Sequence, residues 1–253
     1  MDIDNLDIDN QGIDNQDIDN QGIDNQDINN QDINNQDINM LEEVRNDYVF
    51  VFDTETTGLP NRNKHNATKY YPPEELNHYD SSRIVSIAWM IFNKMGEVKY
   101  SRYAVIKPDD FISSPKALAV HGITYQYAME NGTAMKKILK EIEHTLLLCD
   151  TMVAFNANFD YHILLSECYR YRCRKTISSI KKMTLKCAQK ESIKKIPGLV
   201  CRRKKYPKQE EVYRHLFGDP NFSTSHNSFD DTLRCAQIYF KLNGCRSIID
   251  RFF

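Results

Sequence analysis

The chain has 253 residues, 41% hydrophobic and 11% aromatic, which is enough for one full domain with a real core and an appendage. No stretch approaches eighteen consecutive apolar residues and the N-terminus lacks a charged-then-apolar layout, so membrane-spanning and secreted classes are set aside and an intracellular protein, cytoplasmic or nuclear, is expected. The net charge of −2 hides an asymmetry: residues 1–40 hold eleven Asp and no Lys, Arg or Glu, leaving 33 basic against 24 acidic residues, or +9, in the remainder, which suits a polyanionic partner.

Residues 2–39 run in five-residue units built on Asp-Ile-Asp-Asn-Gln. A period of five rotates the isoleucines by about 140° per repeat on a helix and flips them to the opposite face on a strand, so neither element gains an apolar side. A pentapeptide solenoid would want small residues where Gln11, Gln16 and Gln21 stand. Low apolar density and one-sign charge make residues 1–40 a low-complexity tail, read as disordered.

From Tyr48 onward the texture is globular. Tyr48–Asp53, Arg83–Phe92 and Glu97–Ile106 read as strands, the last two joined through Asn93-Lys94-Met95-Gly96 as a hairpin. Pro60 to Ser82, polar and carrying Pro72-Pro73 and several tyrosines, reads as a long loop, either a substrate wall or an insertion. Lys136–Leu148 and Phe159–Arg172 have helical spacing around a short buried strand at Thr151–Phe155, and Tyr206–Phe217 and Phe229–Leu242 are two further amphipathic helices. Three strands followed by helix–strand–helix alternation predict an α/β sandwich around a mixed sheet. The seven cysteines form no Cys-x-x-Cys pair and their odd number cannot pair completely, so reduced thiols are expected and a zinc cluster is not.

Phe50-Val51-Phe52 ends in Asp53-Thr54-Glu55. Residues two apart on a strand share a face, so the two carboxylates project together and repel unless a hard cation sits between them. On this segment alone, an accidental Asp-x-Glu before a Thr-Thr-Gly turn is an equal reading. Asp160 opens a helix after a short strand, a place the helix dipole also favours for an acid. Asp231 opens the last long helix, with Ser225, Asn227 and Ser228 as capping candidates. His226, whose ordinary pKa is about 6.5, stands five residues before it and is able to take a proton at neutral pH.

Asp53-x-Glu55-Thr56-x-Gly58, Asn156-x-x-Phe159-Asp160 and His226-x-x-x-x-Asp231, in that order, resemble the three motifs of the DEDDh 3′–5′ exonucleases. That family has an RNase H-like fold, a mixed β-sheet flanked by α-helices, and includes the proofreading subunits of bacterial replicative polymerases. The resemblance covers about residues 47–243, leaving 244–253 as a C-terminal extension. Ala119-Val120-His121-Gly122-Ile123-Thr124 is similar to the family's His-Gly-Ile-Thr element, which packs against the terminal nucleotide, and Tyr206-Pro207-Lys208 through Gly218 is similar to the helix before the third motif. Phe155 departs from the pattern, since many members have His there.

The resemblance implies that Asp53, Glu55, Asp160 and Asp231 hold two Mg²⁺ (or Mn²⁺), Asp53 bridging and Asp160 acting through water, with His226 as general base. Thr56, His121, Ile123, Asn156 and Phe159 are the substrate-binding candidates it implies. The expected partner is the 3′ end of a single-stranded or frayed nucleic acid, DNA favoured, released as nucleoside 5′-monophosphates. An exoribonuclease and a non-catalytic nucleic-acid-binding module are the alternatives. Arg170, Arg172, Arg174, Lys175, Lys181, Lys182, Lys186, Lys194, Lys195 and Arg202–Lys205 form a candidate backbone track, with solvated helix faces as the competing reading. Standalone action, service to a polymerase or replication partner, and oligomeric state stay open at this level.

Overall fold

The computed structural model describes residues 48–63, 70–199, 206–218 and 226–245. The repetitive tail, the Arg202–Lys205 run, the capping candidate Ser225 and all but the first two residues of the C-terminal extension lie outside the described residues.

The sheet is built on its most apolar segment. Strand β1 (Tyr48–Thr56) is flanked by β2 (Ile84–Asn93), which it meets antiparallel, and by β5 (Cys149–Ala154), which runs parallel to it. With β3 (Val98–Lys107), the two-residue β4 (Thr133–Ala134) and β6 (Thr184–Cys187), the order across the sheet is β4-β3-β2-β1-β5-β6. Because β1 and β2 are covered on both faces, they read as continuous hydrophobic runs rather than as alternating ones.

Alternation along β1 divides the core in two. Phe50 and Phe52 join the layer formed by α3 (Met135–Leu146), α4 (Ala157–Arg170) and α5 (Arg174–Lys182), through Ile138, Ile142, Leu164 and Ile180. Val49 and Val51 face the other layer, formed by α6 (Ala188–Lys195), α7 (Gln209–Phe217) and α8 (Ser228–Leu242), through Val212, Ala236 and Ile238. Each fully buried side chain of this kind contributes roughly 1.5–3 kcal/mol. Two short helices, α1 (Pro115–His121) and α2 (Tyr125–Asn131), lie beyond β3, each with a cap at its N-terminus from Ser114 or Thr124. Between them Gly122 turns the chain at φ 69°. Gly132 then brings the chain against β3 so closely that a Cβ there would lie 2.5 Å from the Lys107 nitrogen.

The mixed sheet flanked by helices is the expected architecture, with differences that have local causes. β1 runs on to Thr56, beyond the expected end at Asp53, because Asp53 and Glu55 still pair with Ala88 and Ser86 before a bulge shifts Thr56 opposite Ile84. The hairpin is as read, with Gly96 at φ 83° donating to Asn93 O at 2.9 Å. The last helix but one starts at Gln209 rather than Tyr206, since Pro207 and Lys208 precede the first turn and Lys208 N–H is capped by Glu211 at 2.7 Å. Between Arg172 and Tyr206, where the pattern predicts no element, the chain forms α5, β6 and α6. Pro60–Ser82 contains a short 3-10 turn at Leu76–His78 and an isolated bridge between Arg62 and Tyr70. All cysteines among the described residues are free.

Candidate active site

The site forms where β1 ends and α8 begins. Asp53 and Glu55 have the same parity as Val49 and Val51, so they extend the α8 side of the strand past its apolar portion. The start of α8 is fixed there by several bonds. Asn227 caps it by accepting from Phe229 N–H at 2.9 Å, the Ser228 and Ser86 hydroxyls lie 3.1 Å apart in the core, and Thr232 Oγ1 donates to Ala88 O at 3.3 Å. Gln209 Nε2 on α7 donates to Asp231 O at 2.8 Å. Asp231 is thereby presented to the strand, and Asp53, Glu55 and Asp231 each place a carboxylate oxygen within 4.8 Å of the others.

Asp160 approaches from the other face. It sits in the first turn of α4 and accepts from Thr54 Oγ1 at 2.8 Å, the residue between Asp53 and Glu55 that points the opposite way. The alternation that aims two carboxylates at α8 thus aims a hydroxyl at the fourth acid. Asp160 therefore belongs to the same electrostatic cluster without joining the three that converge.

Burial and neighbouring carboxylate charge raise all four carboxyls. Burial first, then the charges of Asp160, Asp231 and Glu55, push the Asp53 carboxyl well above the usual range. Burial, with Asp231 and Asp160, pushes Glu55 up to about 8. Burial pushes Asp160 up to about 7 against the opposing Thr54 hydrogen bond. Asp231 is raised by burial and held back by Arg234, 3.4 Å from its Oδ1, and by His226. Three convergent oxygen donors whose ionised forms are disfavoured without a counter-charge fit a hard divalent cation.

His226 is exposed, precedes α8 with φ 48°, and is near enough to act on the Asp231 carboxyl. Thr56 is buried, and its hydroxyl is tied to Gly58 O at 2.7 Å. Its neighbour Thr57 bonds through its carbonyl to Ser114 N–H at the start of α1, which brings α1 and α2 to this end of the sheet. His121 accepts from Ile123 N–H at 3.0 Å through Nδ1, and its buried Nε2 has no hydrogen-bond partner among the described residues. Ile123 lines a small apolar cavity with Val85, Phe111, Ile112, Leu118 and Tyr125. Asn156 is exposed at the N-terminus of α4, and Phe159 is half-buried one residue before Asp160. Phe155 is 8% exposed in the α8-side core, so the departure from His fills space and offers no polar atom.

Several basic residues of the expected track are tied to protein groups. Arg170 pairs with Asp80 at 2.8 Å, Lys181 bonds Tyr169 OH at 2.7 Å, and Lys195 bonds Asn243 at 2.8 Å. The sequence reading missed Thr54, whose role depends only on parity, and a brace at the head of β2. There Arg83 binds Glu167 at 2.7 Å and Asp109 at 2.9 Å and lies over the Phe111 ring, while its backbone exchanges hydrogen bonds with Thr57. An Arg and a Glu 84 residues apart leave no local signal.

A family profile described as Exonuclease (RNase_T) matches residues 50–239. A search of curated proteins finds no match. Among solved structures, E. coli exonuclease I in its zinc-bound complex with single-stranded DNA superposes with TM-score 0.58 at 14% identity, covering 81% of this chain and 42% of that one. S. pombe Pop2p, solved with Mg²⁺ and Mn²⁺, gives 0.57 at 17% identity, covering 83% and 87%. Exonuclease X with a 5′-overhanging duplex DNA gives 0.50 at 18%, covering 78% and 91%. The chain spans less than half the length of exonuclease I.

Proposed function

The chain belongs to the exonuclease family, and from that premise we propose that it is a 3′–5′ exonuclease that hydrolyses the terminal phosphodiester of a nucleic acid strand, DNA in preference to RNA, releasing nucleoside 5′-monophosphates. The observation that carries this reading is the convergence of Asp53, Glu55 and Asp231 within 4.8 Å, with Asp160 tied to Thr54 behind them.

Asp53, Glu55 and Asp231 would hold one divalent cation directly, and Asp53 with Asp160 a second, Asp160 through water. Bound Mg²⁺ or Mn²⁺ supplies Lewis acidity and offsets the charge of the phosphodiester and of the acids themselves. The chain's own groups do the rest. His226, on the solvent side of Asp231, takes a proton from the attacking water at a ring nitrogen, and Asp231 orients and stabilises the imidazolium that results. Ile123 and His121 receive the terminal nucleotide on the β3 side, and Phe159 supports the strand on the β5 side. Solved complexes of exonucleases I and X with DNA, and of Pop2p with Mg²⁺ and Mn²⁺, support the substrate class and the ions.

The test is release of mononucleotides from a strand labelled at its 3′-terminal nucleotide, DNA beside RNA of the same sequence, with Mg²⁺, with Mn²⁺ and with EDTA. The expected result is metal-dependent stepwise release, faster on DNA. Protein that binds the strands and releases nothing with either metal overturns the enzyme reading, and faster release from RNA overturns the preference.

A further inference from the structure

The loop after β1 carries side chains that the chemistry above does not use. Arg62 and Tyr70 face each other in an antiparallel bridge. The Tyr70 ring lies 6.2 Å from the Phe159 ring, edge to face, and 5.5 Å from the His162 ring. The bridge is therefore laid across the first turns of α4, over the residue that precedes Asp160. His162 is itself fixed, with Nδ1 2.7 Å from Asn158 O.

The described part of the loop is anchored along its length. Asn61 N–H donates to His78 O at 2.9 Å, Ser81 Oγ donates to Leu59 O at 2.9 Å, and Thr57 Oγ1 donates to Ser81 O at 3.0 Å. Tyr71 and His78 stack with ring centroids 3.5 Å apart, and Asp80 pairs with Arg170 on α4. Such pinning holds Arg62 and Tyr70 in place beside the carboxylates. Burial raises the pKa of the Tyr70 hydroxyl, which is also near enough to Arg62 and Asp160 for the cation to lower that pKa and the carboxylate to raise it. A guanidinium and a phenol thus stand at the margin of the carboxylate centre, and both are donors suited to a phosphate oxygen.

The sheet order indicates which phosphate they meet. α2 packs on β3, to one side of β1, and α4 follows β5, on the other. A strand whose last nucleotide lies toward Ile123, with its phosphodiester at the carboxylates, carries its next phosphate toward α4. We propose that Arg62 and Tyr70 hold the phosphodiester immediately upstream of the one that is cut, Arg62 by charge and Tyr70 through its hydroxyl. The assignment rests on the exonuclease reading above and adds a requirement: efficient capture needs a substrate with at least two phosphodiesters.

Two substrates separate the possibilities: oligothymidylate, and the p-nitrophenyl ester of thymidine 5′-monophosphate, which has a cleavable phosphodiester and nothing upstream of it. Arg62→Gln and Tyr70→Phe remove the charge and the hydroxyl while leaving the backbone bridge and the rings. With Mg²⁺, KM for the oligonucleotide should rise about tenfold in Arg62→Gln and severalfold in Tyr70→Phe, with kcat within about twofold of wild type. The slope of log(kcat/KM) against log salt should become shallower by about 0.7 in Arg62→Gln, the value for one lost phosphate contact on a single strand. On the nitrophenyl ester both variants should match wild type. Equal losses on both substrates, or no loss on either, overturn the proposal. Wild-type protein inert on both substrates overturns instead the nuclease reading beneath it.

Discussion

Replacing Glu55 by Gln should stabilise the metal-free protein, increasingly so as pH rises. Burial and the charges of Asp231 and Asp160 raise the Glu55 carboxyl from an ordinary 4.5 to about 8. In the unfolded chain it ionises at its ordinary value, so between those two values the folded state binds more protons, and stability falls as pH rises through the window. At about 1.36 kcal/mol per pKa unit, a rise of about three and a half units is on the order of 5 kcal/mol from one residue. That is a large share of the roughly 5–15 kcal/mol that holds a typical domain. Gln keeps the shape and does not ionise, so the variant should gain on wild type from almost nothing near pH 5 to the full amount near pH 8. For a domain of this size the gain corresponds to about 10 °C in Tm. The assay is thermal unfolding in EDTA across that range. His121 and His162, whose pKa values burial lowers, give an opposite slope below about pH 6.5, but both proteins share it and the difference between them removes it. Mg²⁺ should then raise the wild-type Tm and move the variant less. A variant no more stable than wild type in EDTA near pH 8 would refute the reasoning.

Three further outcomes follow from the site. His226→Ala should lose hydrolysis while keeping the fold, because the side chain is exposed and lies outside the helix it precedes; substantial activity at neutral pH with an unchanged Tm would remove His226 from the mechanism. Glu167→Ala leaves the Arg83 guanidinium, 9% exposed, without its most buried partner, and urea unfolding should record a loss of about 3–5 kcal/mol; a loss under about 1 kcal/mol would mean that Asp109 and Tyr171 suffice. Thr54→Val removes the donor to Asp160, so half-maximal activity should need several times more Mg²⁺, and an unchanged Mg²⁺ requirement would show that Asp160 does not depend on that bond.

Long periodic elements and the order of the acids were legible in the sequence, for one reason. A buried strand such as Phe50–Phe52 and helices such as α3 and α8 carry their apolar pattern within a single window, and Asp53, Glu55, Asp160, His226 and Asp231 stand at element ends that the same windows reveal. What was not legible depends on partners far away in the chain. α1 and α2 are seven residues each, too short to establish a period, and Ala128 is the single buried residue of the two. The end of β1 moved to Thr56 because β2 continues to pair with it, which no property of Asp-Thr-Glu announces. Basic residues were legible as charges but not as surfaces, since Arg170 meets Asp80 and Lys195 meets Asn243 only after folding.

One register position accounts for much of the site. Thr54 is the inward-pointing residue between two outward-pointing acids, and the two faces of β1 are covered by helices whose first turns each bring an aspartate to the strand's end. On the α8 side the strand offers Asp53 and Glu55, so the meeting with Asp231 assembles three carboxylates with no hydrogen-bond donor from the strand between them, a set that calls for a cation. On the α4 side the strand offers a hydroxyl, so Asp160 is met by a donor and held within reach of Asp53 but out of the direct set. The proposed division between acids that would hold an ion directly and one that would act through water thus follows the period-two geometry of a single strand. A slip of one residue would turn Thr54 toward Asp231 and both strand carboxylates toward Asp160, dissolving the three-acid set and exchanging Phe50 and Phe52 with the smaller Val49 and Val51 between the two cores. Ser86, Ala88 and the bulge opposite Thr56 fix the register against that slip, so these unreactive residues of β2 help decide which carboxylates converge.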